Sequence, residues 1–327
     1  MPCHPESPLR RLPLVTLLLS ERCNSRCITC DYWRHGRADL DLASVRELLP
    51  SLRRLGTATV VLSGGEPLVN REWADIASLL AAEGLEVWLL TSGLSLAKHA
   101  RRAGQLFRSI TVSLDGTDPA TYAAIRGVDA FDVVCNGIRA AVDAGVRVTV
   151  RVTLQRANFR QLASFVDLTR GLGTRQVSFL AVDVANPHAF ARHEGFGSDL
   201  ALRPAELEEF ARLICALERD RNEAFSSGFI AENPHKLRRI LQYFSAVCGL
   251  DPYPPVRCNA PEFSAVIDPR GRVSPCFFIA GPSEALARDG LDEALNRGDM
   301  VALRTTIRAG ERPECKTCVC SMWRECA

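Results

Sequence analysis

At 327 residues, with 47% apolar and 24% charged positions, the chain has room for one large domain plus a small one, or two medium ones, in an ordinary globular composition. Forty Lys and Arg against 38 Asp and Glu leave a net charge of +2, too small to suggest a nucleic-acid-binding field; 7% aromatics likewise give no interleaved basic stripe. Thirteen cysteines gather mainly at residues 23–30 and 258–326, which argues for metal sites in a reducing cytoplasm and against a disulfide framework.

Arg10-Arg11 followed by Leu12–Leu19 has the charged and apolar parts of a signal peptide. Instead of a small-residue cleavage site, however, Ser20-Glu21-Arg22-Cys23 follows, and the run reads as a buried parallel strand. No segment approaches the ~20 apolar residues of a membrane span. From here strand-length apolar runs alternate with helical periods. The predicted strands are Leu12–Leu19, Thr57–Leu62, Glu86–Thr91, Ser109–Asp115, Arg147–Leu154 and Arg175–Ala181, with helices near 40–55, 70–83, 94–104, 131–144 and 158–171. A further helix opens at Pro204, a good first-turn residue, and runs to about Arg221. Six such repeats make right-handed βαβ units and a parallel sheet, either doubly wound or barrel-like. Polar signals following the strands place the chemistry on the C-terminal rim of a barrel-like sheet.

The first of those signals is Cys23-Asn24-Ser25-Arg26-Cys27-Ile28-Thr29-Cys30. Three thiols this close converge on one centre, and soft thiolates select iron–sulfur clusters, zinc or copper(I). A closed zinc site wants four ligands, for which His35 is the candidate fourth; three cysteines on a four-iron cluster instead leave one iron open to a small molecule. Strand two ends in Ser63-Gly64-Gly65-Glu66-Pro67, where the glycines allow close backbone approach and Glu66 offers an acceptor for an ammonium group. Strand three ends in Thr91-Ser92-Gly93. Strand four carries Ser113 and Asp115 on one face, as strand five does Arg151 and Thr153.

The spacing Cys-x3-Cys-x2-Cys, with Gly-Gly-Glu-Pro after the next strand, resembles the radical S-adenosylmethionine (SAM) enzymes. In that family three cysteines hold a [4Fe–4S] cluster whose open iron chelates SAM. One electron then cleaves SAM to methionine and a 5′-deoxyadenosyl radical that abstracts hydrogen from substrate. The resemblance implies an α/β fold, an incomplete (β/α)6 barrel, with Cys23, Cys27 and Cys30 on the cluster. It puts Gly64, Gly65, Glu66, Pro67, Ser92, Ser113, Asp115, Arg151 and Leu180 around SAM: the Gly-Gly-Glu-Pro turn at its amino group, Arg151 at its carboxylate, strand six near adenine. Asn24 is common after the first cysteine in the family, whereas the usual aromatic before the third is replaced by Thr29, leaving its adenine contact to Tyr32 or Trp33. Thr121-Tyr122 and Ile125-Arg126-Gly127 also resemble a stretch of the family, with Arg126 bonding the loop. Asp183, Asn186, His188 and His193 read as a solvated loop.

Composition shifts at Pro252-Tyr253-Pro254-Pro255, a stiff linker. Phe263–Ile267 and Arg272–Phe278 alternate around Asp268-Pro269-Arg270-Gly271 as a β-hairpin, and a helical stretch near 283–308 precedes Cys315, Cys318, Cys320 and Cys326. Cys258-x12-Gly271-x4-Cys276 is similar to the opening of the SPASM/twitch extension of the same family. It implies an auxiliary [4Fe–4S] cluster on Cys258, Cys276, Cys315 and Cys318, with Cys320 as rival ligand. A zinc ribbon remains open for this region, as does a second cluster recruiting Cys320, Cys326 and Cys248. Cys135 and Cys215 read as core thiols, and Cys3 as an ordinary one. The expected layout is a partial barrel over 12–225, a helical connector over 226–249 and an auxiliary domain of hairpin plus helix over 250–327. Relatives with this extension modify ribosomally made peptides or oxidise and rearrange sugars, aminocyclitols and nucleotides. No obvious extra N-terminal domain for a leader peptide precedes strand one, which tilts the expectation to a small molecule. The reductant implied is of flavodoxin or ferredoxin type, with neither nucleic acid nor membrane as partner.

Overall fold

The computed structural model describes residues 7–186, 189–192, 197–282 and 287–325. Six parallel strands follow one another across its sheet: β1 (Leu14–Ser20), β2 (Thr59–Gly64), β3 (Glu86–Thr91), β4 (Ser109–Ser113), β5 (Arg147–Leu154) and β6 (Gln176–Ala181). The alternation on β5 explains their facing. Val148, Val150, Val152 and Leu154 are buried at 0% exposure while Arg151 and Thr153 are half-buried, so one face packs on helices and the other faces the barrel's interior. Short loops and helices return each strand to its neighbour: α1 (Tyr32–His35), α2 (Leu42–Arg54), α3 (Trp73–Ala82), α4 (Leu96–Leu106), α5 (Pro119–Arg126), α6 (Phe131–Asp143), α7 (Leu162–Gly171) and α8 (Pro204–Asp220). Beyond them come α9 (Asn222–Ser226) and α10 (Pro234–Val247), the latter opened by Asn233, whose side chain accepts from Lys236 N at 2.9 Å.

The sheet does not close on itself. At the β6 edge, Val177 bridges to Ile230, and the buried Glu232 accepts from Ser178 Oγ and Phe179 N, each at 2.7 Å. At the opposite edge, β7 (Ser264–Ile267) pairs in parallel with β1 over four residues and β8 (Val273–Ser274) turns back antiparallel to it. Both edges of the six-stranded core are thus covered. Helices α11 (Leu291–Asn296), α12 (Gly298–Arg308) and α13 (Pro313–Lys316) complete the chain. Leu291, Leu295 and Met300 share the barrel's apolar core, while Ile279, Ile307 and Cys315 form a small core of their own.

β3 and β5 fall on their predicted bounds, and the other barrel strands lie within two residues of theirs. Five differences matter. β4 stops at Ser113, so Asp115 stands in the loop beyond it. The stretch after it forms a true helix, α5, because Asp118 caps it (Thr121 N donates at 2.9 Å) and Pro119 pre-sets its first turn. The hairpin's second strand is only Val273–Ser274, and the helical stretch expected near 283–308 divides into α11 and α12, with 283–286 outside the described residues. Cys215 is exposed on α8, whose core stripe runs through Phe210, Ile214 and Leu217, whereas Cys135 is buried as expected.

Candidate functional site

The three thiols stand on the loop leaving β1, and hydrogen bonds from four directions fix that loop. Arg26 N and Ile28 N donate to Arg126 O and Ile125 O, both at 3.0 Å, at the end of α5. Glu66 N donates to Arg22 O at 2.9 Å and Gly65 N to Ser20 O at 2.7 Å. Arg192 donates to Thr29 O through Nε (3.2 Å) and Nη2 (3.1 Å), and Asp31 N donates to Phe190 O at 3.0 Å. Asn24 joins the loop to the end of β3, accepting from Ser92 Oγ at 3.1 Å. Two glycines are required by this closeness: a Cβ on Gly65 would lie 2.4 Å from Arg22 O, and one on Gly127 2.2 Å from Arg26 O.

Burial pushes the Cys23 thiol up to about 11 and Cys30 to about 12, aided by repulsion between neighbouring thiols, and moves Cys27 in the same direction. Such thiols become thiolates when a positive centre repays their desolvation. Among the described residues no three His, Cys, Asp or Glu side chains are gathered around a single-ion position. An all-thiolate donor set spread along a fixed loop, beside a Ser25 hydroxyl that is buried without a partner, suits an iron–sulfur cluster better than one ion. The side chain of His35, together with His188 and His193, lies outside the described residues, as do Cys3 and Cys326.

The Gly-Gly-Glu-Pro turn is braced from within. Glu66 is fully buried; Oε1 accepts from Thr91 Oγ1 (2.8 Å) and Leu68 N (3.1 Å), and Oε2 from Ser92 N (2.7 Å). Three donors on a carboxylate with about four acceptor positions leave room for one more. Pro67 opens the 3-10 turn Pro67–Val69. Asp115 is 1% exposed and engaged on both oxygens, by Thr153 N at 2.7 Å and Arg126 Nη1 at 3.1 Å. Its carboxylate therefore ties β4 to β5 and to α5 rather than standing open beside Ser113. Burial pushes its pKa up; burial likewise opposes the charge on Arg126, but Cys27 and Asp115 outweigh it and hold the guanidinium protonated.

Arg151 differs. Its Nε is buried without a partner, and no described carboxylate or carbonyl takes the guanidinium. A half-buried cation facing the barrel interior without a counter-ion is a ready seat for an anionic group. Ser113 is its neighbour across the β4–β5 ladder. Leu180, with Phe179 and Ala181, lines a cleft whose other wall is Lys236, Arg239 and Tyr243 of α10 and Cys318, Val319 and Ser321 of the tail. The C-terminal segment thus packs over the β6 side of the mouth.

Cys258 and Cys276 stand within electrostatic reach of each other and of both Cys315 and Cys318, burial again being the main force that pushes Cys276 to about 12, Cys315 to about 11 and Cys318 upward. Cys320 also senses Cys258, but its strongest neighbours are Arg151 and Lys236. A cavity of about 330 Å³ beside Cys258 and Cys315 is walled by Arg257, Arg308, Lys316 and Trp323. Cys248 is engaged elsewhere, its thiol donating to Leu202 O at 3.2 Å.

Residues 17–168 match the radical SAM superfamily model and residues 258–319 the SPASM iron-sulfur cluster-binding domain. The chain carries a radical SAM domain and a C-terminal SPASM domain, which imply a SAM-binding [4Fe–4S] cluster, SAM and auxiliary clusters. It is 33% identical to the GTP 3′,8-cyclase of Erythrobacter litoralis over 174 residues, 50% of this chain and 52% of the relative. It is 34% identical to that of Xanthomonas axonopodis pv. citri over 221 residues, 62% of each. The chain thus spans about half to two thirds of these curated relatives. Among solved structures, Streptococcus suis SuiB bound to S-adenosylmethionine aligns with a TM-score of 0.69 at 14% identity, over 95% of this chain and 72% of that one. The anSMEcpe structure with bound AdoMet and Cp18Cys peptide gives 0.69 at 16%, over 94% and 86%. Both likenesses are of fold.

Two residues of the site escape sequence reading. Asp183, taken for a solvated loop residue, is 4% exposed with Oδ2 buried and unpartnered; burial pushes its carboxyl up. Tyr243, on α10, accepts from Val184 N at 3.0 Å beside it. The signal for Asp183 was its position two residues past β6, in the rim position that Asp115 holds past β4.

Proposed function

We propose that this radical SAM enzyme binds its reactive cluster through Cys23, Cys27 and Cys30 and oxidises or rearranges a small molecule of sugar, aminocyclitol or nucleotide type. When bound, the cluster and SAM supply one-electron cleavage to a 5′-deoxyadenosyl radical. The chain's own residues orient and enclose. The turn Gly64-Gly65-Glu66-Pro67, with Ser92, faces SAM's amino end. Arg151 and Ser113 receive its carboxylate, Asp115 holds the wall behind them, and Leu180 flanks adenine. Cys258, Cys276, Cys315 and Cys318 hold the auxiliary cluster; Cys320, drawn toward Arg151, is the rival. The observation that carries this reading is the fastening of the three-thiol loop to the Gly-Gly-Glu-Pro turn, through Glu66 N to Arg22 O, beside the unpaired Arg151.

The small-molecule reading draws on the nucleotide cyclases among the relatives and on the tail packed over the β6 side of the mouth. A peptide substrate is the second reading, favoured by fold neighbours solved with a bound peptide. In either case the enzyme works in the cytoplasm with a flavodoxin- or ferredoxin-type reductant; no helix among the described residues is long and apolar enough to cross a membrane.

Anaerobic reconstitution tests the core of the proposal, with iron and sulfide counted per chain and 5′-deoxyadenosine assayed after SAM and dithionite. About eight irons with 5′-deoxyadenosine are expected for two [4Fe–4S] clusters. About four irons with 5′-deoxyadenosine remove the auxiliary cluster, and zinc without SAM cleavage overturns the reading.

A further inference from the structure

Cys27, the middle thiol of the trio, lies against the last turn of α5. The amides on either side of it, Arg26 N and Ile28 N, donate to the carbonyls of Arg126 and Ile125 at 3.0 Å each. Gly127 then turns left-handed at φ 68°, the conformation that brings helix and loop into backbone contact. This seats the Arg126 side chain, 11% exposed, against the thiol loop, with its guanidinium within electrostatic reach of Cys27 and Cys23. Nη1 donates to Asp115 Oδ2 at 3.1 Å, and Asp115 is itself anchored by Thr153 N at 2.7 Å. Arg126 Nε is buried and finds no acceptor among the described residues, and the guanidinium lies beside the buried hydroxyl of Tyr122. The cation is therefore held in place from β4 and β5 and only partly countered by one carboxylate.

Reduction adds one negative charge to a cluster. A fixed guanidinium in a water-poor setting favours the more negative state, because Coulomb attraction is weakly screened there. Hydrogen bonds, charge and burial around the ligands are the protein's levers on cluster potential. We propose that Arg126, clamped by Asp115, is a positioning residue that raises the reduction potential of the SAM-binding cluster and so favours entry of the electron that SAM cleavage consumes. The electron comes from an external low-potential donor, which is oxidised by one electron; no bond or proton changes hands. The proposal rests on the assignment of Cys27 as a cluster ligand.

The test is a redox titration of the reconstituted full chain against dithionite, followed by electron paramagnetic resonance, on wild type and four variants. Cys27→Ala identifies the signal of the N-terminal cluster; if that change removes neither signal nor iron, the ligand assignment itself has failed. With the signal identified, Arg126→Met is expected to disfavour reduction at least tenfold, 59 mV for one electron. Arg126→Lys, which keeps the charge, should retain most of the potential. Asp115→Asn removes the opposing charge and should raise the potential or leave it unchanged. A clamp that merely keeps the loop in shape would make Arg126→Met and Asp115→Asn move the potential the same way, downward. That result, or an Arg126→Met protein within threefold of wild type, overturns the proposal. Should Arg126→Met fail to hold iron, Asp115→Asn decides alone: a fall in potential overturns the proposal, and a rise or no change supports it.

Discussion

Arg151, half-buried, and Glu66, fully buried, illustrate opposite uses of a charge. Glu66 spends three of its acceptor positions inside the protein, on Thr91, Leu68 and Ser92, and so fixes the turn that follows β2. Arg151 Nε is buried with no partner among the described residues, which suits the side chain to an anionic group of a ligand. Hydrogen bonds to charged groups contribute roughly 1.5–3 kcal/mol, so Arg151→Ala is expected to weaken SAM binding about 10- to 100-fold with iron content unchanged. Equilibrium binding of SAM to the reconstituted protein checks this; unchanged affinity would move Arg151 from SAM to substrate. Cys27→Ala should behave differently, abolishing 5′-deoxyadenosine while about four irons remain on the C-terminal cysteines. Retained SAM cleavage would refute the reactive-site assignment.

At the scale of elements, the auxiliary helices are fastened to the barrel by a few polar contacts around Ser51 on α2. Ser51 is 3% exposed; its Oγ donates to Asp292 Oδ1 at 2.7 Å and accepts from Leu291 N at 3.3 Å, capping the start of α11. Ser51→Ala leaves that amide and carboxylate short of a partner and should lower stability by about 2 kcal/mol in urea unfolding. The bond from Arg54, helped by Ser51, depresses the Asp292 carboxyl to about 2. A depressed carboxyl stabilises the fold fully above its unfolded value near 4 and loses that contribution as pH falls toward 2. The gap in urea midpoint between wild type and Asp292→Asn should therefore be full at pH 6 and shrink below pH 4. Local order of this kind was readable where one residue type decides it. The valine alternation of β5 and the apolar run of β3 gave their bounds, and the thiol spacing put Cys23, Cys27 and Cys30 on one loop. Contacts between distant segments were not readable. Nothing in Phe263–Ile267 says that it pairs with β1, because a short apolar strand suits any open edge. Asp115 looked like a ligand-facing residue because β4 was read two residues too long; its partners Arg126 and Thr153 lie 11 and 38 positions away. Cys215 was placed in the core because a helical period fixes spacing along a face but not the width of the buried stripe.

Across the whole molecule, the two thiol groups belong to one assembly. The loop after β6 touches both: Arg192 holds Thr29 of the N-terminal loop, while Asn186 Nδ2 donates to Phe278 O at 2.8 Å, two residues past Cys276. Phe190 and Phe278 meet edge to face at 5.8 Å, and Phe190 adopts φ 59°, a conformation a non-glycine residue keeps only when its surroundings enforce it. The hairpin itself stays anchored by the β1–β7 ladder, Leu14↔Ser264 to Leu17↔Ile267, nine residues before Cys276. Removing one auxiliary thiol therefore leaves the barrel and its cluster loop supported by their own bonds. Cys276→Ala is expected to lose about four of eight irons while continuing to cleave SAM to 5′-deoxyadenosine with dithionite as reductant. Because the loop after β6 bonds to Phe278, two residues past Cys276, the same variant should release 5′-deoxyadenosine without matched conversion of substrate. Iron analysis and a 5′-deoxyadenosine assay on one preparation separate the alternatives. Full iron content means Cys276 is no ligand. Loss of both iron and SAM cleavage means the two clusters depend on each other for folding, through the bridge that Asn186, Phe190 and Arg192 form between them.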